Sequence, residues 1–264
     1  MGFNTLHLAT SDLKPKLILS HRKIIQMKIA LVGYGKMGKA IEEIALKRGH
    51  EIVLKVDIDN QHEFTKENLA KADVAIEFTS PHSAYNNVMK LLEWNVPTVC
   101  GSTGWLDKWD AVRKYTDENN RALVYASNYS VGVNIFFEIN KRLAELMAPH
   151  AEYDVRLEEI HHTEKKDSPS GTAVSLAEQI LERVSRKTKW VNEESDNASD
   201  LVILSERVDP APGTHIALYT SAIDDIEIIH TAHNRTGFAT GAVLAAEFVK
   251  GKKGIFSMKE VLGL

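Results

Sequence analysis

A short apolar run, a glycine triad and an amphipathic helix follow one another without a break between Met27 and His50: MKIALVG, then YGKMG, then KAIEEIALKRGH. Few folds accept that succession. In Gly33-Tyr34-Gly35-Lys36-Met37-Gly38 the first glycine permits a tight turn, the second lets backbone approach a pyrophosphate, and the third lets the helix pack closely on the strand. The helix carries apolar residues at Ile41, Ile44 and Ala45 and stops at Lys-Arg-Gly, a C-terminal signal. Its free N–H groups and positive end face whatever sits over the glycines, which favours a phosphate. GxGxxG alone is weak, because glycine turns also occur in α/β folds that bind no nucleotide. Here EIVLKVDI reads as a second strand and places Asp57 19 residues beyond Gly38, where a carboxylate can accept hydrogen bonds from ribose hydroxyls.

The alternation continues. ADVAIEFT, VPTVC and RALVYASN read as strands, with HSAYNNVMKLLEWN and WLDKWDAVRKYTDEN as the helices between them. Strands alternating with helices predict a parallel sheet covered on both faces. Two loops, Phe78-Thr79-Ser80-Pro81 and Gly101-Ser102-Thr103-Gly104, fall at strand C-termini, where ligands bind in open parallel sheets. Their small residues suit a nicotinamide and its ribose, although plain connecting turns look similar.

After Ser130 the style changes. VGVNIFFEINKRLAELMAP is a long amphipathic helix, DVRLEEIHH a strand and AVSLAEQILERVSR a helix. KTKWVNEESDNASD reads as loop, LVILSERV, THIALYTS and DDIEIIHTAHN as strands of an antiparallel or mixed sheet, and GFATGAVLAAEFVKG as a helix. The expected class is α/β: a Rossmann-like parallel-sheet domain over 27–130, completed by 236–264, and a C-terminal α+β domain over 131–235 for substrate binding and oligomerisation.

A chain of 264 residues, 44% of them hydrophobic, has ample material for two such cores. A net charge of −4 without a concentrated basic stripe gives no footprint for nucleic acid. No apolar run approaches the roughly 20 residues needed to cross a bilayer. The lone Cys100 excludes an intramolecular disulfide and fits a reducing, cytoplasmic setting. Residues 1–26 are mildly basic but lack a long apolar stretch with a cleavage site, and read as an N-terminal extension outside the fold.

HHTEKKDSPSGTA, His161 to Ala173, is not a core-packing sequence. Pro169 stiffens a turn, Ser170 or Thr172 can cap the next helix, and Gly171 lets an anion approach the backbone. A helix N-terminus beside Lys165 makes a carboxylate receptor. His161, with an imidazole that titrates near neutrality, can exchange a proton there. The segment thus combines an anion cradle and a proton source, as reduction of an acidic substrate requires. Metal binding is not expected: HExxH is absent, and so is any cysteine pair. Ser170 lacks the GxSxG context of a nucleophile.

These residues resemble the signature HHxxKxDxPSGTA of the 4-hydroxy-tetrahydrodipicolinate (dihydrodipicolinate) reductases of lysine and diaminopimelate synthesis. GYGKMG, EFTSP, CGSTGW, SNYSVGVN and NRTGFATGAV are similar to the family's landmarks in the same order from Met27 onward. Two positions depart from it: Lys36 replaces an arginine common in the glycine loop, and Ser168 a common alanine. The resemblance implies that His161 is the general acid and that Lys165 donates a proton or orients the substrate. It implies that His162, Ser170, Gly171 and Thr172 hold the substrate carboxylates. The nucleotide would meet Gly33, Tyr34, Gly35, Lys36, Met37, Gly38, Asp57, Phe78, Thr79, Gly101, Ser102, Thr103, Ala126, Ser127, Asn128 and Tyr129. It further implies a homotetramer built through the C-terminal sheet, and domain closure over the substrate. Asp57 and Asp59 should repel a 2′-phosphate while Lys36 could offset them, so NADH is expected with tolerance for NADPH. Other classes fit less well. The Glu-Lys-Pro of sugar dehydrogenases is missing, and a noncatalytic NAD(H) sensor would not need a histidine–lysine pair beside an anion cradle.

Overall fold

A computed structural model describes residues 26–264, so all but Gln26 of the expected 1–26 extension lies outside the described residues. In chain order the first part runs β1 (Lys28–Val32), α1 (Lys36–Lys47), β2 (Glu51–Val56), α2 (Lys66–Leu69), β3 (Val74–Glu77), α3 (Pro81–Glu93), β4 (Thr98–Cys100), α4 (Trp109–Glu118) and β5 (Ala122–Tyr125). Next come α5 (Val131–Met147), β6 (Asp154–His161), α6 (Gly171–Leu181), β7 (Lys189–Val191), β8 (Asp200–Arg207), β9 (Thr214–Thr220) and β10 (Asp225–Thr231). The last elements are α7 (Thr236–Val249), β11 (Gly254–Phe256) and α8 (Met258–Leu262).

Six strands form one sheet in the order β11-β5-β4-β3-β1-β2, with every pairing parallel. Being covered on both faces, its inner strands bury successive residues rather than alternate ones. Ile29 and Leu31 of β1 face one core with α1 and α7, while Ala30 and Val32 face the other. Five strands form the second sheet, order β10-β9-β6-β8-β7, antiparallel from β10 to β6 and parallel beyond. There the alternation is clean. Val155, Leu157, Ile203, Ala217 and Tyr219 pack against Phe136 and Met147 of α5 and Leu176 and Ile180 of α6. Ile160, Leu204, Ile216, Leu218 and Ile229 line the opposite face through the register Glu158↔Leu204, Glu158↔Ile216 and Ile216↔Ile229.

After the second sheet the chain returns to the first. α7 packs on the core of β1, β3 and β4, and β11 pairs with β5. Glu247 of α7 accepts two hydrogen bonds from Arg48, at 2.7 and 2.8 Å, and lies 2.8 Å from His50 Nε2. Close approach is built in at Gly241, where a Cβ would stand 1.7 Å from the Tyr129 carbonyl oxygen.

Three local expectations need correction. The stretch read as loop, KTKWVNEESDNASD, contributes β7, a short edge strand that needs only three paired residues. β11 is likewise too short to show a pattern of its own. The helix expected from Trp105 opens as a 3-10 turn, Leu106–Lys108, before α4 begins. Among the described residues no helix is long and apolar enough to cross a membrane.

Candidate active site

The alternation of β6 carries it from core to chemistry. Val155, Leu157, Glu159 and His161 share the buried face; the first two are apolar and the last two are not. Register then places Glu159 opposite His215 of β9 and Ser205 of β8, and His161 opposite Arg207. Glu159 is fully buried. Its Oε1 accepts from the Ser170 N–H at 3.0 Å, the Ser205 hydroxyl at 2.8 Å and the Arg207 guanidinium at 3.3 Å. Its Oε2 lies 3.4 Å from His161 Nδ1 and 3.7 Å from His215 Nε2. The two imidazoles meet edge to face at 5.0 Å.

Burial pushes the Glu159 carboxyl up, but the Ser170 and Ser205 hydrogen bonds outweigh it and hold the group below its ordinary value. His161 is held down by burial, with Glu159 pulling the other way. His215 is pushed down to about 4, first by burial and then by the neighbouring His161. A histidine lowered from 6.5 to about 4 stays neutral in the fold while the unfolded chain takes up its proton. Stability is therefore fully present above pH 6.5 and lost as pH falls toward 4, by about 3 kcal/mol from this group alone. Thermal melts across that window should show the loss in the wild type and a smaller one in His215→Gln. Equal slopes would remove His215 as the cause.

Glu159, His161 and His215 bring three possible ligand atoms within 4.8 Å of one another, a metal-like donor set that the sequence did not lead us to expect. Arg207 already supplies a fixed cation to that carboxylate at 3.3 Å, so a second cation would meet like charge. We read the cluster as one that holds protons.

The following loop is tied down around the same hub. Arg207 donates to the Asp167 carbonyl at 2.6 Å, and Thr163 binds Asp209 through its N–H at 3.1 Å and its hydroxyl at 2.6 Å. Lys165 is gripped by both Asp167 oxygens at 2.9 Å, so a substrate carboxylate has to share that cation. Ser170 is the N-cap of α6 and accepts from the Ala173 N–H at 3.2 Å. With the Ser170 N–H committed to Glu159, the donors left to an anion are the Gly171 and Thr172 N–H groups, which the helix start leaves without intrahelical acceptors. A Cβ on Gly171 would meet nothing within 4 Å.

His161, His162, Lys165, Ser170, Gly171 and Thr172 all line one cleft of ≈ 880 Å³. Its other wall includes Thr103, Ser127 and Asn128 from loops of the parallel sheet. The Asn128 amide reaches Thr172 Oγ1 at 3.5 Å across the junction.

The remaining loop residues gather at the C-terminal edge of that sheet. A Cβ on Gly33, where φ is +97°, would lie 2.1 Å from the Phe78 carbonyl oxygen, and one on Gly38 would lie 2.3 Å from the Gly33 carbonyl oxygen. A Cβ on Gly35 would meet nothing. Two glycines are thus required by packing, while the third faces open space at the start of α1, as a diphosphate cradle needs. The Thr79 N–H donates to Ser102 Oγ at 2.8 Å, and Gly101 leaves room for the Phe78 ring. Tyr129 is buried, its hydroxyl within hydrogen-bond reach of the Cys100 and Val124 carbonyls at 2.8 and 3.1 Å, and its ring packs against Phe78. Asp57 caps the turn after β2, accepting from the Ile58 N–H at 2.9 Å, and stays exposed. The Tyr34 hydroxyl donates to Glu42, with Lys55 Nζ 4.9 Å from the ring centroid. Lys36 and Met37 open α1, Lys36 exposed and Met37 half-buried. Ala126 and Ser127 lie just beyond β5.

Glu159, Ser205, Arg207, Gly213 and His215 were not singled out from sequence. Strand alternation marks Glu159 and His215, both being polar residues on inward positions. Nothing local marks Ser205 or Arg207, which reach the site through strand pairing alone.

The family model "Dihydrodipicolinate reductase, N-terminus" matches residues 27–129, and that for the C-terminus matches residues 132–262. A 4-hydroxy-tetrahydrodipicolinate reductase from Christiangramia forsetii is 48% identical over 237 residues, 89% of this chain and 98% of that protein. One from Methanosarcina barkeri is 38% identical over 79% of each. Among solved structures, a dipicolinate-bound dihydrodipicolinate reductase from Paenisporosarcina sp. TG-14 has the same fold, with a TM-score of 0.72 at 24% identity, covering 89% of this chain and 99% of that one. With both halves matched and relatives this close, the chain belongs to the dihydrodipicolinate reductase family.

Proposed function

We propose that this protein reduces 4-hydroxy-tetrahydrodipicolinate to tetrahydrodipicolinate with a nicotinamide nucleotide, a step toward diaminopimelate and lysine. One observation carries the proposal beyond family membership. The acid His161, the cation Lys165 and the open start of α6 line one cleft whose far wall is formed by loops of the glycine-motif sheet.

The bound nucleotide supplies the hydride. The chain's own residues do the rest. Gly171 and Thr172 N–H groups, the Ser170 hydroxyl and His162 hold the substrate's carboxylates, with Lys165 balancing their charge. Loss of the 4-hydroxyl as water gives the conjugated imine; hydride adds to the ring carbon conjugated with its C=N bond, and His161 protonates the adjacent carbon of the resulting enamine, which restores the C=N bond of the product. Fixed donors that need not reorient stabilise the developing charge. Closure of the junction would exclude water from the proton path.

NADH is the preferred donor in this proposal. Exposed Asp57 repels a 2′-phosphate, whereas Lys36, which forms no ion pair among the described residues, leaves NADPH usable. The apolar residues Ile160, Leu204, Ile216, Leu218 and Ile229, on the face of the second sheet turned away from α5 and α6, support assembly of a homotetramer through that sheet, a mass that light scattering reads directly. The single buried thiol is consistent with a cytoplasmic setting.

The test is oxidation of NADH and NADPH on mixing with the freshly generated condensation product of pyruvate and aspartate semialdehyde. Turnover with both, kcat/KM higher for NADH, is the expected result. Tight nucleotide binding without turnover would sink the assignment and favour a sensor.

A further inference from the structure

We infer that Glu159 is the positioning residue of the reaction: its buried carboxylate fixes the His161 proton on Nδ1, so that Nε2 serves the substrate. The inference rests on the proposed role of His161 as the acid.

The case begins with an unfilled oxygen. A buried carboxylate needs donors on both oxygens, or its desolvation is uncompensated. Oε1 has three donors, from Ser170, Ser205 and Arg207. Oε2 lies 3.4 Å from His161 Nδ1 and 3.7 Å from His215 Nε2, and the Ser170 hydroxyl bonds the same carboxylate. His161 Nδ1 is buried and hydrogen-bonds to no other atom, so the adjacent carboxylate draws its proton to that nitrogen. This is the Nδ1–H form, which leaves Nε2 beside the backbone of Gly213. A Cβ there would come within 3.1 Å of Nε2, so glycine keeps the working nitrogen clear.

His215 Nε2 also lies 3.1 Å from Ser170 Oγ. That oxygen accepts from the Ala173 N–H at 3.2 Å, and its hydroxyl bonds the Glu159 carboxylate. One carboxylate thus holds the proton source and the N-cap of α6 together.

The charges facing His161 decide what happens without Glu159. Arg207 comes from β8, Lys165 and Asp167 from the loop after β6, and neutral His215 from β9, while α6 presents its positive end. Burial, Lys165 and Arg207 all oppose protonation of His161; Glu159 opposes them most strongly and Asp167 less. During turnover His161 gives its Nε2 proton to the substrate carbon and regains one from solvent. Its neutral form retains the Nδ1 proton throughout.

The experiment has two arms. In protein labelled with 15N-histidine and free of ligands, neutral His161, assigned by comparison with His161→Gln, should show the Nδ1–H tautomer. Finding Nε2–H in the wild type would overturn the inference even if Glu159 variants failed to fold. In the kinetic arm, Glu159→Gln keeps the size and loses the charge. Its kcat at neutral pH should fall about 10- to 100-fold, and the high-pH limb of its profile should move down by about one unit or more. KM for the nucleotide should stay within about twofold, the positioning role lying outside nucleotide binding, and Glu159→Asp should restore part of the limb shift. A merely structural role predicts lost stability with the limb unmoved, which would also overturn the inference. If the proposed substrate is not turned over at all, the tautomer arm still decides the role of Glu159.

Discussion

His161→Gln is expected to lower kcat by roughly 10²–10⁴ while leaving the fold and nucleotide binding intact. The glutamine amide can still donate to Glu159 Oε2, so the buried carboxylate keeps a partner and the core of the second sheet is undisturbed. What disappears is an imidazole able to hand a proton to the substrate. kcat and kcat/KM should fall together, the sign of an interaction made in the transition state alone. Lys165→Ala should behave differently. It removes charge from the carboxylate cradle, so substrate KM should rise as well as kcat fall, although Asp167, which grips Lys165 at 2.9 Å, is then left without its cation. Steady-state kinetics on both variants separates the roles. Unchanged kcat in His161→Gln would take the imidazole out of the mechanism and return the proton to solvent or Lys165.

The second large effect separates two glycines that the sequence motif treats alike. Gly33→Ala should destabilise the protein by roughly 2–5 kcal/mol, adding left-handed backbone strain to overpacking. A residue at φ +97° with a Cβ 2.1 Å from the Phe78 carbonyl oxygen has nowhere to move, because the obstacle is backbone. Against a typical total of 5–15 kcal/mol, that is enough to threaten folding. Gly35→Ala should cost almost nothing in stability, since its φ is −75° and a Cβ would meet no atom within 4 Å. Yet the added methyl occupies the space a diphosphate requires. Affinity for NADH should fall at least about tenfold, the worth of one hydrogen bond to a charged group. Thermal melts and nucleotide titrations on the pair check both halves. A Gly35→Ala protein that binds NADH normally would contradict the placement of the nucleotide.

How much of this was legible beforehand depends on the range of the interactions involved. The glycine motif is local: strand, turn and helix are encoded within two dozen residues, so the parallel sheet could be read directly. The same holds for Lys165 through Thr172, where loop, cap and helix start are contiguous. Edge strands were harder. β7 and β11 each have three residues, too few for a period, and exist because a neighbouring strand offers free hydrogen-bonding groups. The hub around Glu159 was hidden for a related reason. Glu158 and Glu159 stand side by side in EEIHH, and only strand polarity tells which one turns inward. His215 lies 54 residues from His161, and Arg207 looks like any surface arginine until β8 is set beside β6. Tyr129 stands in a nucleotide-loop motif, and the packing of its ring on Phe78 is a long-range contact that the motif does not show.

The return of α7, β11 and α8 to the first sheet has a consequence for biogenesis. A ribosome releases the glycine-motif strands early, but the edge partner of β5 and the helix that closes over β1, β3 and β4 emerge only after the entire second sheet. The nascent nucleotide-binding layer must therefore wait, with one apolar face bare, through the synthesis of about a hundred intervening residues. Chaperone dependence during translation, and sensitivity to C-terminal truncation, should accordingly appear in the half of the molecule that is made first.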